Sequence, residues 1–260
     1  MAKKKSTRLQ FKMGWLPDIP DARDFSYAAP LKVMQKLPVK IDLRAKFPSP
    51  KVYNQGGLGS CTANALGAAF QFGQQKQHKA TFMPSRLFLY YNERVMINTV
   101  NSDSGAFIRD GIKSLNKQGI CKEILWPYTE SKFTQKPPQV CYSQALKNQI
   151  TSYLRLANNL NTMKGCLSEG YPFVFGFTVY ESFMTKQVAS TGIMPMPKAG
   201  EQVVGGHAVV AAGFDDSKQA ILARNSWGGS WGKAGYFWMP YAYISNSNLA
   251  DDFWTIRLVE

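Results

Sequence analysis

Histidine is scarce in this chain of 260 residues, where only His78 and His207 occur. The four cysteines, Cys61, Cys121, Cys141 and Cys166, never fall into a Cys-x-x-Cys half-site. Together these shortages exclude the usual zinc patterns, and no metal or other cofactor is expected. No stretch approaches the roughly 18–20 apolar residues that span a bilayer, so no membrane span is expected. The start of the chain, Met1 to Arg8, is basic, but Leu9 to Trp15 supplies neither a continuous apolar stretch nor a small-residue cleavage site. No signal peptide is read there, which points to a cytoplasmic protein or one exported by a signal-independent route. Acids are also in short supply: 17 against 31 basic residues give a net charge of +14. Lys3, Lys4, Lys5, Arg8 and Lys12 contribute to this before any acid appears. Elsewhere there is no basic helix, no aromatic-plus-glycine RNA-binding motif and no zinc-finger spacing. The charge therefore reads as a solubilising or weakly polyanion-attracting surface, not as a nucleic-acid site.

What is present suffices for a buried core, with 45% hydrophobic and 13% aromatic residues. Residues 1–38 read as an extension. Its basic tail leads into Trp15-Leu16-Pro17-Asp18-Ile19-Pro20-Asp21-Ala22-Arg23-Asp24, where prolines and acids disfavour helix and favour an extended, turn-rich path. From Thr62 to about Gln77, residues Ala63, Leu66, Ala69, Phe70 and Gly73 recur at helical spacing and predict a buried helix. Further helices are predicted near Pro84–Asn98 and from Gly105 to Lys117, the latter stopping at Gly119. After about residue 150 the character turns to strand: Phe173 to Val179, Ala208 to Phe214 with a turn and a return through Ala220 to Arg224, Gly235 to Met239, and Phe253 to Leu258. A helical half (about 39–150) followed by a strand-rich half (about 151–260) reads as α+β, with a cleft between two lobes.

Gln55-Gly56-Gly57-Leu58-Gly59-Ser60-Cys61 puts a thiol after a glycine-rich turn and at the start of the first predicted helix. Unpaired amides and the positive end of the helix dipole stabilise a thiolate there, and the same amides can face a developing oxyanion. A thiolate nucleophile needs a base. His78 sits in a polar run at a helix end and reads as a solvated surface residue. His207 opens an apolar strand, where a ring needs a specific partner. The hairpin that follows returns the chain to Asn225-Ser226-Trp227, so the Asn225 oxygen can accept the imidazole N–H and Trp227 can roof that bond. If Cys61 is a free nucleophile, three thiols remain and cannot all pair internally. A Cys121–Cys141 bridge stays open, although the cysteine count without a signal fits a reducing compartment better.

These three segments resemble the active-site signatures of the papain-like (C1) cysteine peptidases, whose cysteine-to-histidine span of about 130–150 residues includes that from Cys61 to His207. Leu37 to Arg44 resembles the start of that family's mature domain, Trp126-Pro127-Tyr128 its Tyr-Pro-Tyr element, and Tyr171-Pro172 its pre-strand proline. The resemblance implies a papain-like catalytic domain over residues 39–260. It implies a peptide or protein substrate, attacked through a thiolate–imidazolium pair and a thioester, and an endopeptidase mode. Acyl transfer by the same triad (deamidation, transglutamination or ligation) and a basic polyanion-binding protein are the alternatives. The family pattern gives Gln55 an oxyanion-donating role beside the Cys61 amide. It makes Ser104-Gly105 a peptide-binding edge and puts Gly176, Gly205 and Ala208 around the main specificity pocket. Leu58 stands where the family usually has a cysteine, so its disulfide beside the nucleophile is absent. Thr62 replaces an aromatic residue, and Gly206 precedes His207 where Asn or Asp is common. The Pro-Asp-x-Pro-Asp-x-Arg-Asp run resembles the bacterial-type branch. Residues 1–38 are too short for a helical inhibitory pro-domain, so they are expected to lie along the cleft and limit access.

Overall fold

The computed structural model describes residues 11–48 and 52–260; the basic tail through Arg8 lies outside them. In chain order the elements begin with β1 (Trp15–Leu16), α1 (Leu31–Met34) and β2 (Lys40–Asp42). A helical lobe follows, with α2 (Cys61–Lys76), α3 (Arg86–Met96), β3 (Ala106–Phe107), α4 (Ile108–Lys117) and α5 (Gln139–Ala145). The chain then enters a sheet lobe through β4 (Ile150–Arg155), α6 (Leu160–Ser168), β5 (Phe173–Tyr180), α7 (Lys186–Thr191) and β6 (Val203–Asp215). It closes with β7 (Ala220–Arg224), β8 (Tyr236–Pro240), α8 (Tyr241–Ile244) and β9 (Ala250–Val259). This is the α+β, two-lobed arrangement expected from the sequence.

The sheet runs in the order β4-β9-β5-β6-β7-β8, every neighbouring pair antiparallel, with β2 added along the far end of β6. One apolar cluster fills the helical lobe around Leu66, Phe70, Leu87, Phe88, Ile112 and Leu115. A second, dominated by Phe173, Phe175, Phe177, Phe214, Phe237 and Phe253, fills the sheet lobe. Helix α2 is buried from Cys61 to Gln74. Its alanines at 63, 65, 68 and 69 keep the backbone slim, so it reaches Val174, Ala208, Val210 and Trp254 of the sheet within one shared cluster. That contact brings the first residue of α2 beside β6.

Among the boundaries that differ from the sequence-based expectation, two lie beside the strap. Helix α4 starts at Ile108 because Gly105 adopts φ +77° and Ala106–Phe107 instead pair, in parallel, with Trp15–Leu16. Strand β6 starts at Val203, earlier than expected, because β5 extends to Tyr180 and pairs with it along its whole length. Gly205, Gly206 and His207 are therefore strand residues. All four cysteines are free and buried.

The stretch from Phe11 to Pro30, regular only in β1, lies along the domain as a strap. Asp24 is gripped by Arg109 (2.5 Å) and Arg155 (3.1 Å), and Asp18 accepts from the Arg109 amide (3.1 Å) and from Trp254 Nε1 (3.0 Å). The anchors come from α4, β4 and β9, so the strap is held across both lobes.

Gly119 ends α4 at φ +72°, and a Cβ built there would lie 1.9 Å from the Ala145 carbonyl oxygen. Left-handed backbone strain and a backbone clash therefore act together. Gly119→Ala is expected to lower unfolding free energy by about 2–4 kcal/mol, read as a reduced urea midpoint at unchanged slope. An unchanged midpoint would show that the α4–α5 junction has room the geometry denies.

Candidate active site

Cys61 is the first residue of α2, where helix amides have no intrahelical partner. The turn before it is held by long-range contacts. Gly57 N–H donates to Glu130 Oε1 (3.1 Å), Gly59 N–H to Asp103 Oδ1 (3.0 Å), and Tyr128 O–H to the Gln55 carbonyl (2.8 Å). Asn64 N–H donates to the Ser60 carbonyl, which starts the helix without a side-chain cap.

Across the lobe junction, His207 Nε2 donates to Asn225 Oδ1 at 2.8 Å. Because an amide oxygen only accepts, this bond sets the tautomer: the proton sits on Nε2, and Nδ1 keeps its lone pair. Nδ1 is buried and has no hydrogen-bond partner among the described residues. Trp227 stacks on the imidazole at 4.8 Å and 27°, and Phe177 meets its edge. The Asn225 oxygen also accepts from Ser226 N–H (2.8 Å), which fixes the amide's orientation.

Ser226 reaches further. Its Oγ–H donates to Gln55 Oε1 (2.7 Å), and its carbonyl accepts the Gln55 N–H (2.9 Å). With Oε1 occupied, Gln55 Nε2 points toward the nucleophile turn, where it donates to Leu58 O (2.9 Å) and Lys12 O (3.0 Å). Cys61, His207, Asn225, Gln55 and Trp227 are thus gathered at one lobe junction.

Lys12 belongs to the strap, whose first residues run through the cleft. Phe11 stacks on Trp227 at 4.4 Å and 3°, and Lys12 Nζ pairs with Asp103 (2.6 Å). Gly14 N–H donates to the Gly206 carbonyl (3.0 Å), and the Gly14 carbonyl accepts from Ala106 N–H (2.8 Å). A Cβ on Gly14 would lie 1.8 Å from Gly59 O, so only glycine passes here. Trp15 then lies flat on Gly176, where a Cβ would sit 1.9 Å from the indole.

The remaining residues expected around the cleft divide. Gly176 underlies Trp15, Gly205 underlies Met13, and Ala208 presents its backbone near Cys61. Ser104 turns away, its hydroxyl bonded to Thr99 and to the Gly105 carbonyl. The Gly105 N–H is taken by Tyr90. The strap's backbone is met by Ala106 N–H, one residue beyond that pair. Ser226, Ala106 and Asp252, whose carboxylate accepts from Trp15 Nε1 (3.0 Å), were not anticipated. Ser226 alone carried a signal, its position between Asn225 and Trp227.

Electrostatics follow from this cover. Burial pushes the Cys61 thiol up to about 12, opposed by the amides of Ala208, Gly14 and Thr62. Burial also pulls His207 down to about 4, against its bond to Asn225. Both shifts disfavour charge, so with the strap in place the pair is a neutral thiol beside a neutral imidazole.

Comparisons with known proteins fit this arrangement. The profile of the family described as "Papain family cysteine protease" matches residues 37–255. The structure of xylellain, a cysteine protease from Xylella fastidiosa, is 46% identical, with a TM-score of 0.92 over 98% of this chain and 99% of that one. An uncharacterized peptidase C1-like protein of Acanthamoeba polyphaga mimivirus is 44% identical over 95% of this chain and 86% of its own length. Chymopapain of Carica papaya is 28% identical over 83% of this chain and 57% of its own.

A histidine whose folded value lies near 4, below its ordinary 6.5, binds its proton more readily when unfolded. Its contribution is present above pH 6.5 and is lost as pH falls toward 4. Urea titrations at pH 7 and pH 4.5 are expected to show a stability loss about 2 kcal/mol smaller in His207→Ala than in the parent chain. Identical losses would mean that His207 is already solvated in the folded chain.

Proposed function

The chain belongs to the papain family of cysteine proteases, and from that premise we propose that it cleaves peptide bonds with Cys61 as nucleophile and His207 as base and acid. The observation that carries this is the 2.8 Å bond from His207 to Asn225, which leaves Nδ1 free at the end of β6 that α2 packs against. Once water enters the cleft, the Cys61 proton passes to Nδ1 and the thiolate attacks the substrate carbonyl. Gln55 Nε2 and the amide at the start of α2 stabilise the oxyanion. His207 then protonates the leaving amine, and the restored neutral ring activates a water that clears the thioester.

An endopeptidase mode is supported by the path of the strap itself. An extended polypeptide lies past Cys61 in both directions, with Phe11 on Trp227 to one side and Trp15–Leu16 beside β3 to the other. A cleft that accommodates chain on both sides has no need of a substrate terminus.

We further propose that residues 11–16 limit access. They occupy the Gln55 side-chain donor, the Gly206 carbonyl and the Ala106 amide, the same groups that a substrate needs. They also hold the thiol protonated by excluding water.

A peptidyl thiol-reactive inhibitor, followed by mass spectrometry, is expected to label Cys61 alone, and Cys61→Ala is expected to abolish both labelling and peptide cleavage. Label on Cys121, Cys141 or Cys166 would overturn the assignment. Labelling should be at least 10-fold faster in a chain beginning at Pro38 than in the full chain, compared under conditions where both are folded. Equal rates would remove the access-limiting role and leave the nucleophile untouched. Gln55→Ala is expected to lower kcat by about 10²-fold, as loss of one oxyanion donor does.

A further inference from the structure

Thr62 follows the nucleophile at a position where an aromatic residue is usual, and it has a specific partner. Its hydroxyl donates to Glu93 Oε2 of α3 at 2.8 Å, and both side chains are fully buried. Glu93 Oε1 has no hydrogen-bond partner among the described residues. Helix α4 makes room for the carboxyl at Gly111, where a Cβ would lie 2.5 Å from Oε1 and 2.2 Å from Leu66. Helices α2, α3 and α4 therefore close on one carboxyl behind the start of α2.

Among the described residues no basic side chain pairs with that carboxyl. Arg94, its neighbour on α3, gives its guanidinium to the carbonyls of Tyr90, Val100, Ser102 and Phe133 instead. Asp110 of α4 adds a like charge, and Cys61 is the titratable group that faces Glu93 from α2. Burial pushes the Glu93 carboxyl well above its ordinary range, against the Thr62 bond and the more distant Arg94. An acid so placed stays protonated, because an unpaired charge costs far more to bury than a neutral carboxyl. That state matters next door. A charged Glu93 would oppose a Cys61 thiolate, whereas a neutral one leaves the helix amides to stabilise it. The amide of Thr62 itself is one of three that approach the Cys61 thiol.

We infer that Glu93 is a positioning residue for the nucleophile, an uncharged acid that holds Thr62 and, through it, the first turn of α2. The inference rests on the reading of Cys61 as nucleophile. A helical threonine has two accessible rotamers, and its hydroxyl can otherwise turn back to a carbonyl of the preceding turn. The bond to Glu93 selects one of them. It also ties α2 to α3 where α2 has no side-chain cap of its own. Glu93 does not touch the reacting atoms, so its effect passes through the orientation of Thr62 and through the charge it does not carry.

The test has two arms, both on the full chain. Alkylation of Cys61 by iodoacetamide, followed by peptide mass spectrometry, reads the thiol without needing a peptide substrate. Glu93→Gln keeps an uncharged acceptor and is expected to label within about 3-fold of the parent rate. Glu93→Leu fills the space without an acceptor and is expected to label about 10-fold more slowly. Thr62→Val should match it, and the double variant should be no slower than either, since each removes the same bond. A parent-like rate in Glu93→Leu or Thr62→Val means that the pair only fills space, and overturns the inference. Additive losses overturn the link through Thr62, and a Glu93→Gln rate as slow as that of Glu93→Leu overturns the uncharged state. Should Glu93→Leu fail to fold, Thr62→Val reads the same bond from its other end. In the second arm urea midpoints of the parent and Glu93→Gln are compared at pH 4 and pH 7.5. A folded value above the unfolded 4.5 gives stability that is lost as pH rises, so the parent's midpoint should fall further. Equal falls mean that Glu93 is charged in the folded chain, and overturn the inference while the peptidase reading stands. No labelling of Cys61 in the parent overturns the nucleophile assignment and this inference with it.

Discussion

Two consecutive residues, Asn225 and Ser226, hold the site together. Asn225 receives the imidazole N–H, and Ser226 holds both the side chain and the backbone of Gln55. Gln55 sits on the nucleophile turn of one lobe and His207 on a strand of the other, so this dipeptide sets their relative position. Nearby, Asn54 bridges Trp227 and Gly228 N–H donates to Tyr53 O, which stitches the same loops at either side. Hydrogen bonds of this kind are individually worth only about 1 kcal/mol. Here their value lies in direction, since each fixes the orientation of a neighbour that would otherwise rotate.

The strap exploits the same groups by running through the cleft as a peptide would, saturating donors and acceptors that the sheet and helix leave open. Its chemical effect comes mostly from removing water. A thiolate and an imidazolium stabilise each other only if the surroundings tolerate charge. Under Phe11–Leu16 both the Cys61 thiol and the His207 ring are driven to their neutral forms. The anchors that keep the strap down lie at a distance from the thiol, at Asp18 and Asp24, and they are ionic and aromatic in character. Most of the attachment to the domain thus lies apart from the residues that cover the site, the pairing of Lys12 with Asp103 excepted.

The parts of this design legible from sequence were those carried by local pattern. The glycine turn before Cys61, the alanine spacing of α2, the hairpin that returns Asn225 to His207 and the aromatic roof all follow from short-range rules, and all appear where expected. The papain-like fold followed from the same segments. What escaped was set by contacts between distant positions. Trp15 and Asp252 stand 237 residues apart, and neither is unusual in its own neighbourhood. The strap pairs with Ala106, one residue beyond Ser104-Gly105, because Gly105 spends its N–H on Tyr90, a helix residue no periodicity links to it. Proline and acid content read residues 15–24 as extended, but nothing local tells that Gly14 must be glycine to clear the Gly59 carbonyl.

The replacement of a cysteine by Leu58 shows how such a turn is held without a covalent tie. Leu58 is buried in the helical-lobe cluster, and its carbonyl accepts from Gln55 Nε2. On its two sides, Gly57 and Gly59 give their amides to Glu130 and Asp103, carboxylates from separate loops of the same lobe. Two charge-assisted bonds and one apolar anchor thus act where a disulfide would, and each can re-form after breaking. All four cysteines are free, so no disulfide contributes to this turn. Asp103 also receives Lys12 from the strap. The carboxylate that supports the nucleophile turn is therefore one of the groups that fastens its cover, which couples the shape of the turn to whether the cleft is filled.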